Sequence, residues 1–230
     1  RYNAFPKQVH DMNIRKPPST ASIVTQADEK GKLHAPSAAR NASAMCSAIK
    51  SIAPPAGDAL EIASGTGQHI IAFAASMPNI SWHPTEVCAD RIASIHAYLD
   101  DTNQSNIAPP IMLNATAKGW SAAVSPKNLI TLCNLLHLIS EVEASTLISE
   151  AANTLPPNGK LFLYGPFKRN GKLISEGDAS FDASIRASDP ETGYKDDNWI
   201  KKITQENGLT QYQVIDMPAN NLALVFKKNA

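Results

Sequence analysis

The segment best suited to chemistry is a glycine-rich stretch at residues 60–69, with the sequence LEIASGTGQH. It predicts a strand that ends at Ser64, a tight turn, and a helix that begins near Gly67. Gly65 and Gly67 lack a Cβ, so the turn can be tight and a ligand can approach the backbone closely. The first turn of the following helix offers N–H groups that have no partner inside the helix. The stretch therefore predicts a site for a nucleotide-like ligand.

Two acidic residues define that ligand further. Glu86 follows the second predicted strand, nineteen residues after Gly67. Ligands of open α/β sheets bind beyond the carboxyl ends of the strands, where a carboxylate can accept both hydroxyls of a ribose. Glu61, at the end of the first strand, precedes a turn of small residues. An acid followed by such a turn is typical of sites for S-adenosylmethionine (SAM), which has a ribose but no phosphate.

Other ligands fit the stretch less well. A dinucleotide fold requires Gly-x-Gly-x-x-Gly, and Ile70 stands at the third glycine position. A phosphate-binding loop would need Gly-Lys-Ser/Thr, which does not follow. Three classes remain open: a SAM-dependent methyltransferase, an NAD-dependent oxidoreductase, and a non-catalytic SAM-binding or scaffold protein. For a methyltransferase, a small molecule is favoured over a protein as the methyl acceptor, because the sequence predicts no acidic groove that could bind the basic tail of a protein substrate.

The elements that must position these residues alternate along the chain. After a helix over residues 37–52, short apolar runs that predict strands are separated by segments with helical periodicity. The predicted strands cover residues 59–64, 80–84, 111–113, 129–133 and 160–164, and the predicted helices cover residues 67–76, 89–99, 141–155 and 196–207. Strands separated by helices pair in parallel.

Two further strands are predicted at the end of the chain, over residues 211–217 and 222–227. Only four residues separate them, so they predict an antiparallel hairpin. The expected fold class is α/β and Rossmann-like: a seven-stranded, mostly parallel sheet with a C-terminal antiparallel hairpin and helices on both faces. Residues 1–31 are polar and basic and predict an extended or poorly ordered arm, followed by a single domain over residues 32–230.

The charge excludes some partners. The chain of 230 residues has 21 Lys and Arg and 21 Asp and Glu, so its formal net charge is zero. Residues 1–50 carry eight basic and three acidic residues, so the zero is a cancellation between a basic start and an acidic remainder. Nucleic-acid binding by bulk charge needs a basic excess, and a membrane span needs about 20 apolar residues. We expect neither partner.

The cysteines indicate the compartment. Cys46, Cys88 and Cys133 are widely spaced, with no Cys-x-x-Cys pair and no histidine at metal-ligand spacing. They predict free thiols in a reducing, cytoplasmic environment, and no metal site. Residues 1–20 lack the apolar segment of a secretory signal. Met12 is a candidate natural start.

Several motifs together make the sequence similar to a known family. EIASGTGQH at residues 61–69 resembles the first motif of the small SAM-dependent methyltransferase-like family catalogued as domain of unknown function 938 (DUF938). Further matching segments are APSAARN at 35–41, LFLYGPFK at 161–168, FDASIR at 181–186 and MPANNL at 217–222. The resemblance spans roughly residues 32–228. It implies a class I methyltransferase fold with SAM at the strand ends, converted to S-adenosylhomocysteine (SAH).

The resemblance also implies which residues bind the cofactor. Arg40 and Asn41 are expected to reach the methionine carboxylate, since an arginine fork donates two hydrogen bonds to it. Asn114 stands where such enzymes commonly have Asp against the adenine amino group. The full expected set is Arg40, Asn41, Glu61, Ala63, Ser64, Gly65, Thr66, Gly67, Glu86, Asn114, Ala115, Asn134 and Leu135.

The acceptor side is expected beyond the fourth and fifth strands. His137 lies three residues past Asn134 and is the candidate general base, because an imidazole titrates near neutral pH. Tyr164, Phe167 and Lys168, with Arg169, would form a pocket with an aromatic wall and a cationic rim. Such a pocket suits an anionic small molecule. Asn220, in the hairpin turn, is a further candidate for orienting the acceptor.

Overall fold

The computed structural model describes Arg15 and residues 24–230. Most of the predicted arm over residues 1–31 lies outside these residues. Six α-helices and nine strands follow in the described part. In chain order they are α1 (Pro36–Ile52), β1 (Gly57–Ile62), α2 (Gln68–Ser76), β2 (Ile80–Glu86), α3 (Ala89–Asp100), β3 (Ile111–Met112), β4 (Leu129–Cys133), α4 (Glu141–Thr154), β5 (Lys160–Gly165), β6 (Phe167–Lys168), α5 (Glu176–Ser188), β7 (Lys195–Asp196), α6 (Asp197–Glu206), β8 (Leu209–Asp216) and β9 (Leu222–Lys228).

Seven strands form one sheet in the order β3-β2-β1-β4-β5-β9-β8. The first five pair in parallel, whereas β9 is antiparallel to both β5 and β8. The predicted mostly parallel sheet with a C-terminal antiparallel hairpin is therefore confirmed. The chain winds outward from β1 to one edge and then restarts at β4, so the order reverses between β1 and β4. A ligand crevice opens at such a reversal.

The helices cover both faces of the sheet, as predicted, because side chains alternate along each strand. On β5, Leu161 and Leu163 join a core with α4 and α6, while Phe162 and Tyr164 join a core with α1 and α2. Nearly all of these side chains are fully buried. The two apolar layers fix the sheet between its helices and hold the strand ends at one edge.

One helix was not predicted. The sequence of α5, EGDASFDASIRAS, has only Phe181 and Ile185 as large apolar residues, so its hydrophobic period is weak. Polar contacts stabilise it instead: the Ser175 side chain accepts a hydrogen bond from the N–H of Asp178 at the N-terminus. Four residues apart, Arg186 and Asp182 form an ion pair. The two-stranded β6–β7 sheet beside it was also not predicted.

The described part of the basic segment contacts the domain. Lys30 and Lys32 both form ion pairs with Asp101 at the end of α3. The backbone N–H of Ala35 donates to Gln68 Oε1 at the start of α2, at 2.6 Å.

Within the described residues, no helix is both long and apolar enough to cross a membrane.

Candidate functional site

The turn after β1 takes a conformation that favours glycine. Ala63, Gly65 and Gly67 all have positive φ angles, of 53°, 60° and 96°. At Gly67 a Cβ would lie 3.1 Å from the Cα of Ile95, so α3 packs against the bare backbone. At Gly65 a Cβ would meet nothing within 4 Å, so this residue leaves open space instead. Gly65 thus faces a cavity, and Gly67 allows close packing of α3.

Glu86 is the anchor of this turn. One oxygen of its carboxylate, Oε2, accepts from the N–H of Gly65 at 2.9 Å, and Oε1 accepts from the N–H groups of Val87 at 2.8 Å and Cys88 at 3.2 Å. Arg91 lies 3.9 Å away. Only 2% of Glu86 is exposed, yet its side chain lines the cavity. Oε1 already accepts two hydrogen bonds, whereas Oε2 keeps a further lone pair for a ligand hydroxyl.

A cavity of about 780 Å³ opens at the β1–β4 reversal, within the usual size range of small-molecule sites. It brings together most of the residues that the sequence predicted. The predicted cofactor residues on its wall are Arg40, Asn41, Ala63, Ser64, Gly65, Thr66, Glu86, Asn114, Ala115, Asn134 and Leu135. Of the predicted acceptor-side residues, His137 and Tyr164 also line it.

Six predicted site residues lie off the cavity wall, and Arg169 is one of them. Gly67 is covered by α3, and Glu61 lies beneath the turn with 1% of its surface exposed. Phe167 is buried in one of the two cores, and Tyr164 belongs to the other. Lys168 lies in β6, paired with Asp196 of β7. Asn220 is exposed and donates to Asp178 Oδ2 at 3.2 Å. The expected wall of Phe167 with a Lys168 rim is therefore absent.

Beneath the turn, three potential ligand groups converge. Glu61, His69 and Cys133 each place one donor atom within 4.8 Å of the others. Glu61 Oε2 is buried and has no hydrogen-bond partner among the described residues. Burial raises the pKa of the Glu61 carboxyl to about 8 and lowers the pKa of the His69 imidazole to about 4. The Cys133 thiol also has a raised pKa, chiefly because of burial and then because Glu61 is near.

A polar network ties the first helix to the hairpin. The Tyr164 hydroxyl accepts from the amide of Asn41 at 3.3 Å and from that of Asn221 at 3.2 Å. Asn41 Oδ1 lies 2.7 Å from His69 Nε2. Burial raises the pKa of Tyr164, so the phenol stays protonated near neutral pH. Residues from α1, α2, β5 and the β8–β9 turn thus meet at one side of the cavity.

The candidate base His137 is 4% exposed. Burial, and then the nearby positive charge of Lys195, lower the pKa of its imidazole to about 3. The ring is therefore neutral near pH 7 and can accept a proton, although with little driving force. Its ring centroid lies 5.8 Å from that of Phe181 and 6.2 Å from that of Tyr194.

Sequence reasoning missed several residues of the cavity wall. Phe181 and Tyr194 come from α5 and from the loop before β7, which showed no clear pattern. Arg15 also reaches the cavity, where it pairs with Glu143, Asp189 and Glu191. Only the FDASIR segment, noted at the sequence level for its family resemblance, pointed to this region.

The chain belongs to the DUF938 family. The model of this family, described as a protein of unknown function, matches residues 32–228. The predicted family is thereby confirmed, and the match leaves out the first 31 residues.

Solved structures with a similar fold are methyltransferases. An O-methyltransferase family protein from Burkholderia thailandensis is 14% identical with a TM-score of 0.69, covering 82% of this chain and 56% of its own. An O-methyltransferase family 2 protein from Planctomyces limnophilus, in complex with apigenin, is 15% identical with a TM-score of 0.70, covering 84% and 57%. Human N-acetylserotonin methyltransferase, in complex with SAM, is 11% identical with a TM-score of 0.65, covering 82% and 55%.

These similarities define the fold. The chain has the Rossmann-like fold of class I methyltransferases, as the sequence predicted. It spans slightly more than half the length of each of these three proteins.

Proposed function

We propose that this protein is a SAM-dependent methyltransferase that acts on a small molecule. The observation that carries the proposal is Glu86, a buried carboxylate that fixes Gly65 at 2.9 Å and faces the cavity at the sheet reversal. The free lone pair of Oε2 at this point suits a hydroxyl of a ribose. SAM bound in the solved human neighbour supports the same assignment.

The residues of the cavity fit this cofactor. The open space at Gly65 leaves room for a ligand against the backbone. Arg40 lines the cavity and can bind a carboxylate with its fork. The unpartnered Oε2 of Glu61 lies beneath the turn, where the ammonium of a methionine group would supply the missing hydrogen-bond donor. Asn114 Oδ1 accepts from Thr116, which holds this side chain for the adenine edge.

The chemistry needed from the protein is modest. A bound SAM would supply a methyl group that is already activated on its sulfonium for transfer to the acceptor. The chain's own residues align the acceptor and exclude water. Where the acceptor atom carries a proton, His137 is the proposed recipient, because its imidazole is neutral and lines the cavity.

Two alternatives stay open. An NAD-dependent oxidoreductase would use the same turn and Glu86 for its adenosine ribose. Ile70 argues against it, since this fully buried side chain occupies the position of the third glycine. A non-catalytic SAM-binding protein would keep the cavity, and the low basicity of His137 favours this alternative.

A cytoplasmic location belongs to the main proposal and rests on the free thiols of Cys46, Cys88 and Cys133.

Calorimetric titration tests the cofactor. SAH should bind at one site per chain, and Gly65→Arg should abolish the binding by filling the space beside the backbone. Gly171→Arg is the matched control, because Gly171 also has a positive φ and open space but lies outside the cavity. Binding of NADH in place of SAH would favour the oxidoreductase. Turnover of labelled SAM in a metabolite extract would exclude the non-catalytic alternative.

A further inference from the structure

Three aromatic rings meet on the β4 side of the cavity. His137 follows β4, Phe181 lies in α5 and Tyr194 precedes β7. Their ring centroids are 5.8 Å, 6.1 Å and 6.2 Å apart, and all three residues line the cavity. We refer to these three residues as the aromatic wall.

Hydrogen bonds hold the wall in place. The N–H of Tyr194 donates to Asp182 Oδ1 at 2.6 Å, and its hydroxyl donates to Asp178 Oδ1 at 3.2 Å. The neighbouring N–H of Gly193 donates to the carbonyl of His137 at 2.9 Å. The rings are therefore positioned before any ligand arrives, which lowers the entropy cost of binding.

The geometry of the rings indicates how a ligand would pack. Their planes are inclined by 56° to 73°, and the centroid distances are those of rings in direct contact. No ligand fits between them, so a ligand must pack against the surface that they present to the cavity. A flat ring is the shape that gains most from such a surface, by stacking or edge-to-face contact.

The charges near the wall argue against a charged acceptor. Lys168 and Arg169, the expected cationic rim, do not line the cavity. Glu143 does line it, but this carboxylate is paired with Arg15 at 2.8 Å. Asp178 is engaged by Tyr194 and Asn220 and lies off the cavity wall.

We propose that the acceptor is an uncharged, planar aromatic small molecule, which packs against the wall formed by His137, Phe181 and Tyr194. This proposal rests on the proposed function, in which the cofactor occupies the part of the cavity around Gly65 and Glu86. It replaces the anionic acceptor that the sequence suggested.

Ligand-observed NMR titrations on SAH-loaded protein provide the test. The probes are naphthol, its saturated analogue decahydronaphthol, and tetramethylammonium, which an aromatic cage for cations would prefer. Naphthol should bind at least about threefold more tightly than decahydronaphthol, because a single aromatic pair contributes about two- to twelvefold in affinity. Tetramethylammonium should not compete with it.

Variants locate the binding. Phe181→Leu should weaken naphthol at least about threefold and leave the affinity for SAH unchanged, whereas Phe181→Tyr should retain binding. Tyr212→Leu is the control, since it removes a half-exposed ring from β8 that does not line the cavity. Thermal melting of each variant verifies that it is folded.

Contrary results are well separated. Equal binding of the saturated probe, preference for tetramethylammonium, absence of naphthol binding, or no effect of Phe181→Leu would each overturn the aromatic acceptor. Failure of SAH to bind would instead contradict the proposed cofactor. In that case naphthol titration of the ligand-free protein still tests the wall.

Discussion

At the scale of single residues, Glu61 combines a structural cost with a proposed role. Its carboxyl is 1% exposed, and Oε2 has no hydrogen-bond partner among the described residues. Burial raises its pKa from 4.5 in a model compound to about 8. Between these two pH values the folded protein holds a proton that the unfolded chain releases. The carboxyl therefore destabilises the fold progressively as the pH rises from about 4.5 to about 8.

Glu61→Gln should remove this cost. The variant is expected to be more stable than the parent at pH 7, by about 3 kcal/mol if the whole pKa shift is recovered. The gain should shrink toward pH 4.5, as measured by chemical unfolding across the pH range. SAH affinity should fall at least about tenfold, because Gln cannot release a proton and become the carboxylate that would pair with the ammonium of the ligand.

Glu150→Gln is the control for this prediction. Glu150 is also buried, but its two oxygens accept from the N–H groups of Gly119 and Ser121. Removing a satisfied acceptor should destabilise the protein without changing SAH affinity. A Glu61→Gln variant that loses stability at pH 7 would show that the carboxylate has a partner in solution.

At the scale of elements, regular patterns of apolar residues predicted the strands and helices, but contacts between polar side chains could not be predicted. The strand over residues 129–133 was predicted with the bounds of β4, because an unbroken apolar run between helices has few alternatives. The Gly65 turn and Glu86 were predicted because their spacing reflects a strand-turn-helix unit. The contact of Glu61 with His69 and Cys133 could not be predicted, since it depends on how α2 and β4 pack across β1.

Helix α5 shows most clearly which elements hydrophobic periodicity cannot predict. It is held by its N-cap and an ion pair more than by an apolar stripe, so hydrophobic periodicity does not reveal it. Likewise, Phe167 follows Tyr164 closely in sequence but lies on the opposite face. The sequence predicted an aromatic wall from Tyr164 and Phe167 after the fifth strand; Tyr164 lines the cavity, whereas Phe167 does not.

The N-cap of α5 provides a prediction at this scale. Ser175→Ala removes the side-chain acceptor for the N–H of Asp178, at 3.1 Å, and should cost about 1 kcal/mol of stability. Because the helix carries Phe181, naphthol affinity should also fall, while SAH affinity stays the same. Asp196→Ala is the control: it removes the cap of α6 and should lower the melting temperature without weakening naphthol. If Ser175→Ala left naphthol binding unchanged, the N-cap of α5 would not be needed to position Phe181 for the ligand.

At the scale of the whole molecule, basic residues near the start of the chain form ion pairs with acidic residues of the remainder. Arg15 pairs with Glu143, Asp189 and Glu191 of the acidic remainder. Lys30 and Lys32 pair with Asp101. The cancellation between the two parts of the sequence is thus also a set of contacts, and one of them lies at the cavity wall.

The whole molecule also places its two proposed ligands on different sides of the sheet reversal. Residues that follow β1, β2 and β3 supply the polar wall for SAM, including Gly65, Glu86 and Asn114. Segments from the end of β4 onward supply the aromatic wall. The transferable methyl should therefore lie near Asn134, at the end of β4, where the two parts of the cavity meet.

A crystal structure of the protein with SAH tests this arrangement most directly. We predict a ribose hydroxyl within about 2.6–3.0 Å of Glu86 Oε2, the adenine beside Asn114, and the sulfur near Asn134 on the side of the aromatic wall. SAH bound elsewhere, or bound in the cavity with its ribose away from Glu86, would contradict the central claim.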